Sequence, residues 1–78
     1  MSSRPELEFE VDQLRDIIVF ELKTAIGEYR TKLMRARNLL WLVNTKLEIG
    51  DVPIEKLWEM WQEAVNITFH IIRVMYCH

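Results

Sequence analysis

The chain has one cysteine, two glycines and two prolines among its 78 residues. A lone Cys77 cannot form a disulfide within the chain, which suits a reducing, intracellular (cytoplasmic) setting. So few glycines and prolines leave little material for turns, and the period-two alternation of a half-buried strand is absent. The longest unbroken apolar run is five residues, Leu39 to Val43. A transmembrane helix needs about 20, and the run is also too short for a secretory signal, so no membrane contact is expected. There is no internal repeat and no low-complexity stretch. No nucleophile–base set, phosphate-binding loop or dinucleotide fingerprint is present, so no catalytic residue can be assigned, no cofactor is expected and the chain does not read as an enzyme.

Metal-binding spacings fail as well. His70 and Cys77 share a helical face but lie two turns apart, roughly 10 Å, too far for one ion held by one helix. A helical di-iron pair with His70 would need glutamate three residues earlier, where Ile67 stands. His70 reads as a core-edge histidine, and Cys77 and His78 as residues of a helix end. No strong excess of one charge is present either: ten basic and twelve acidic residues give a net charge of −2. Strong, non-specific binding to polyanions is not expected of such a chain.

What the chain does have is hydrophobic residues at helical spacing, half of the total. Leu7, Val11, Leu14, Ile18, Leu22, Ala25, Tyr29, Leu33, Ala36, Leu40, Val43 and Leu47 form one series whose mean step is 3.64 residues. That is close to the 3.6 of a straight α-helix and not to the 3.5 of a coiled-coil seam. Ser3 and Glu6 have the spacing of a capping box, with Pro5 in the first turn. Gly50 suits the left-handed position that ends a helix, and Asp51 can cap the next, with Pro53 in its first turn. The expected fold is therefore a single all-α domain over residues 1–78. Helix 1 spans about 4–48, the turn 49–52 and helix 2 about 52–77, closing as an antiparallel hairpin.

At 1.5 Å per residue these helices would be roughly 67 and 39 Å long. Helix 2 could cover helix 1 only back to about Lys23, leaving nineteen residues without an intrachain partner. Nine of those nineteen are large and apolar: Leu7, Phe9, Val11, Leu14, Ile17, Ile18, Val19, Phe20 and Leu22. Exposing them would forgo about 1.5–3 kcal/mol each, comparable in sum to the stability of a small domain. Two arrangements remove the difficulty. In the first, the hairpin self-associates into a helical bundle, a homodimer in its simplest form, with Leu14, Ile18, Leu22 and Ile72 in the interface. Ile72 enters because the second half of helix 2 is apolar nearly all round and so belongs in a shared core. In the second, the chain breaks at Gly27, a residue that costs about 1 kcal/mol inside a helix, and folds back as a monomeric three-helix bundle.

Charge is segregated along the chain. Residues 1–28 carry net −4, residues 29–48 net +4 and residues 49–78 net −2. On a continuous helix 1, Lys23, Arg30, Arg37 and Asn44 recur every seven residues, beside Thr24, Thr31, Asn38 and Thr45. The simpler reading pairs this basic middle with the acidic start of a neighbouring copy. The alternative is contact with the backbone of duplex RNA or DNA through Lys23, Arg30, Arg37 and Lys46. A third reading, a small interfacial enzyme using Arg30, Lys32 or Arg35 on an anionic molecule, has the least behind it. The acidic rows Glu8, Asp12, Asp16 and Glu55, Glu59, Glu63 read as solvated faces, because no liganding loop accompanies them. Trp41, Trp58 and Trp61 read first as core near the hairpin turn and second as an exposed docking patch. The function expected is a small oligomeric protein-interaction or assembly module, whose partner is itself or another protein.

Overall fold

The computed structural model describes residues 4–77 and contains three helices: α1, Arg4–Leu22; α2, Gly27–Ile49; and α3, Ile54–Tyr76. No strand occurs among the described residues. The all-α expectation holds; the continuous first helix does not, and the chain takes the second arrangement, three helices with a break before Gly27. Its nineteen-residue overhang is α1 itself, 19 residues long, folded back upon the other two.

The break has a local cause. Ile26 is extended (φ −132°, ψ 158°), which a β-branched residue accepts readily, and Gly27 follows at φ 60°. That left-handed conformation costs an L-residue with a side chain roughly 1–2 kcal/mol and costs glycine almost nothing. The last carbonyls of α1 are nonetheless satisfied. Glu21 O accepts from the amides of Thr24 (3.2 Å) and Ala25 (3.0 Å), and Leu22 O accepts from the Arg30 guanidinium at 3.1 Å. Arg30 therefore ties the second helix to the end of the first.

The second turn follows its sequence signals more closely. Gly50 ends α2 at φ 77°, and its amide donates to Lys46 O at 2.8 Å. Asp51 does not cap α3 as expected. The helix starts at Ile54, two residues later than the expected 52, with Pro53 at its N-cap. Asp51 instead accepts from Lys46 Nζ at 3.4 Å, across the turn. The expected Ser3 capping box lies outside the described residues, as does His78.

Up, down and up again, the helices enclose one core. It comprises Leu7, Val11, Leu14, Ile18 and Leu22 of α1, Ala25 of the link, Leu33, Ala36, Leu40, Val43 and Leu47 of α2, and Leu57, Ala64 and Ile71 of α3. Every member of the sequence series except Tyr29 is buried, and Tyr29 packs against the core edge. The radius of gyration, 12.8 Å, is near the value of about 12 Å expected for a chain of this length. The α2–α3 interface is the broadest and the α1–α3 interface the narrowest.

Three expected interface residues are thus covered from within. Leu14, Ile18 and Leu22 lie under α2 and α3, because the turn at Lys23–Ile26 brings α1 back onto them. Ile72 is only half-buried, and its neighbour Ile71 takes the core position, 3% exposed. One residue along a helix is about 100° around it, enough to exchange core for rim. Of the nine apolar residues of the overhang, Phe9, Ile17, Val19 and Phe20 remain exposed.

Candidate functional site

Two surfaces of the bundle carry groups that the core does not use. The first is the seam between α1 and α3. Because these helices share the least contact, their facing side chains stand partly apart. A groove of about 210 Å³ opens there, lined by Glu10, Gln13, Leu14 and Ile17 of α1 and Trp61, Val65 and Phe69 of α3. Ile17 and Phe69 are exposed by 37% and 47%. Helical spacing extends the apolar band beyond the groove. Phe20 stands one turn beyond Ile17, while Ile72 and Tyr76 follow Phe69 at i+3 and i+7. At its far end, Tyr76 donates a hydrogen bond of 2.9 Å to Glu21 Oε1, which joins the ends of α3 and α1. The Glu21 carboxylate holds the Tyr76 phenol above its ordinary value near 10, first through that hydrogen bond and then through its charge.

Trp58 and Trp61 meet edge to face in this region, with ring centroids 5.3 Å apart and planes at 84°. Both pack against the core, in line with the first reading of the tryptophans. Their indole N–H groups are buried, with no partner among the described residues.

The second surface is the groove between α1 and α2. Its volume is about 420 Å³, and it is lined by Val11 and Arg15 of α1 and Arg37, Asn38, Leu40, Trp41 and Asn44 of α2. Trp41 departs from the core reading and is 67% exposed. It lies beside Leu40 in sequence but about 100° away around the helix, on the side backed only by α1.

The basic residues do not form one strip. Lys23 sits past the end of α1, its ammonium 5.8 Å from the Phe20 ring centroid. Arg30 is engaged by Leu22 O, and Lys46 by Asp51. Arg37 and Lys46 are nine residues apart on α2, which places them half a turn out of phase. Arg37 faces the α1 groove. Lys32 and Arg35 instead line a groove of about 230 Å³ with Ile67, His70 and Ile71 of α3. His70 is exposed there, not at a core edge.

The acidic rows are exposed, and two of their members make surface pairs: Glu8 with Arg4 at 3.5 Å and Asp12 with Arg15 at 3.4 Å. Among the described residues no cluster of three or more histidine, cysteine or carboxylate groups could hold a metal ion. No described helix is long and apolar enough to cross a membrane. Compared with models of known protein families, with characterised proteins and with solved structures, the chain has no significant match.

Sequence reasoning missed both grooves for one reason. A continuous first helix puts α1 and α2 on a single rod, on which α1 can face neither α2 nor the α3 of its own chain. Only the signal at Gly27 pointed to the turn that creates them.

Proposed function

We propose that the protein is a small protein-interaction module that pairs with a second copy of itself through the α1–α3 seam. The observation that carries this reading is the apolar band of Ile17, Phe20, Val65, Phe69 and Ile72 along the seam between the two helices with the narrowest interface. Contiguous apolar surface rimmed by polar groups is the usual mark of an interaction site. A two-fold axis through the seam sets α1 of one copy across α3 of the other and buries both bands at once. Glu10 lines the groove and Arg73 follows Phe69 by one turn, so charges of both signs stand at the rim of the band. Charges at such a rim select the pairing more than they strengthen it.

Light scattering after size exclusion tests the proposal. A mass twice the 9.4 kDa of one chain is expected, together with a melting temperature that rises with protein concentration. Phe69→Glu places a charge on an already exposed position, so it should return the mass to 9.4 kDa and leave the helices folded. A mass of one chain from micromolar to millimolar concentration rules out self-pairing and transfers the seam to a different protein partner.

Duplex binding by the basic middle of the chain has less support, because its four expected residues point in different directions and two are engaged within the chain.

A further inference from the structure

We infer that the α1–α2 groove is a binding site for a nucleotide, whose base stacks on Trp41 while Arg37 and Arg15 hold its phosphate. This site is separate from the α1–α3 seam and does not depend on self-pairing.

Four observations converge on it. The groove, about 420 Å³, falls in the size range of small-molecule pockets, roughly 300–1,000 Å³. Its lining includes two guanidinium groups and no carboxylate, in a chain whose net charge is −2. Arg15 does touch Asp12, but that exposed pair at 3.4 Å is screened and leaves most of the guanidinium donors free. Trp41 presents a largely uncovered indole, although burying a tryptophan is among the most favourable contributions a small core can receive. Lastly, Asn38 and Asn44 flank Trp41 by three residues on either side, each with a carboxamide that both donates and accepts.

The spacing suits one ligand. Arg37 and Trp41 are one turn apart, about 6 Å along the helix, similar to the separation of phosphate from base within one nucleotide. A phosphate on the arginine fork and a ring on the indole therefore need no change in the helix. Arginine pairs with phosphate through two parallel N–H donors. Stacking is indifferent to the identity of the base, whereas the two carboxamides can read a base edge. A double helix hides its base faces, so the ligand is a free nucleotide or an unpaired strand. The two share this chemistry.

The test titrates the intact chain by calorimetry, with tryptophan quenching as a second signal in the chains that keep Trp41, and takes adenosine monophosphate and a short single-stranded oligothymidylate as probes at about 50 mM salt, where phosphate contacts are strongest. Both probes should bind and quench the emission. Equal affinity per nucleotide identifies a free nucleotide as the ligand. Affinity that rises with strand length identifies a single strand. Trp41→Leu should weaken binding on the order of tenfold or more, as loss of a stacked base does elsewhere. Arg37→Gln should weaken it and flatten its salt dependence, while Arg35→Gln, in the other basic groove, should change nothing. Circular dichroism checks that each variant is folded; all three side chains are at least partly exposed. The inference is overturned if neither probe binds, if Trp41→Leu binds like wild type, or if a duplex of equal length binds as well as the single strand.

Discussion

The phenol of Tyr76 lies 2.9 Å from the Glu21 carboxylate, a contact made across 55 residues of sequence. It is the one side-chain hydrogen bond described between α1 and α3, the pair of helices with the narrowest interface. Tyr76 is mostly exposed, but Glu21 is buried, so the bond gives a desolvated carboxylate a partner it would otherwise lack.

A pH signature follows from this bond. Glu21 raises the Tyr76 pKa in the folded chain above its unfolded value near 10. The protonated phenol is thus favoured by folding. The stabilisation is fully present below pH 10 and is lost as the pH rises through the folded value. Tyr76→Phe should melt at a lower temperature than wild type at neutral pH. The difference should shrink steadily above pH 10, as the wild-type phenol ionises. Melting curves of both proteins across that range decide the matter, and a constant difference would mean that the bond does not form in solution.

Gly27 gives a prediction whose sign depends on the fold. Inside a continuous helix, Gly27→Ala would stabilise by about 1 kcal/mol through helix propensity. At φ 60° the same change should destabilise by about 1 kcal/mol, because alanine resists the left-handed conformation. Beyond the adjoining residues and the helix's own backbone, no atom lies within 4 Å of the added methyl carbon, so the effect is one of backbone conformation. Urea denaturation with an unchanged slope reads it directly.

Why the turn before Gly27 escapes the apolar pattern is a matter of phase. The link Lys23–Ile26 replaces about one helical turn, and Ala25 within it is buried where a continuous helix would have buried it. The rows of α1 and α2 therefore keep a common step across the break, and periodicity alone cannot tell one rod from two. The core was legible for that reason, and the topology only as the second of two arrangements, the one with a break at Gly27. The need to cover Leu7, Val11, Leu14, Ile18 and Leu22 was legible too, but the chain meets it with its own helices. The grooves were not legible, since they juxtapose Arg15 with Arg37 and Ile17 with Phe69, residues that only the fold brings together.

Ile71 and Ile72 separate core from rim within one step of α3. Ile71→Ala removes a fully covered side chain and should cost about 2–5 kcal/mol. Ile72→Ala, at a half-buried position, should cost roughly 1–2 kcal/mol, in proportion to the smaller area it covers. Both are read from denaturation midpoints at one low protein concentration. Equal losses would place Ile72 in a core that a single chain does not complete.

Thr68 is the one fully buried polar side chain of α3, with 0% exposure, and its hydroxyl has no hydrogen-bond partner among the described residues. A threonine in a helix ordinarily returns its proton to a carbonyl one turn back. Without that bond the hydroxyl keeps only its desolvation cost, about 1–3 kcal/mol. Thr68→Val has the same shape and no polar atom, so it should stabilise the protein by about 1 kcal/mol. Thr68→Ser keeps the hydroxyl and deletes the packed methyl, so it should destabilise by about 1 kcal/mol through the cavity it opens. The opposite signs separate the cost of the hydroxyl from the benefit of the methyl, and chemical denaturation of the two variants against wild type measures both. If Thr68→Val is the less stable of the two, the hydroxyl finds a partner in solution, and the packing of α3 against the core is looser there than the buried position of Thr68 implies.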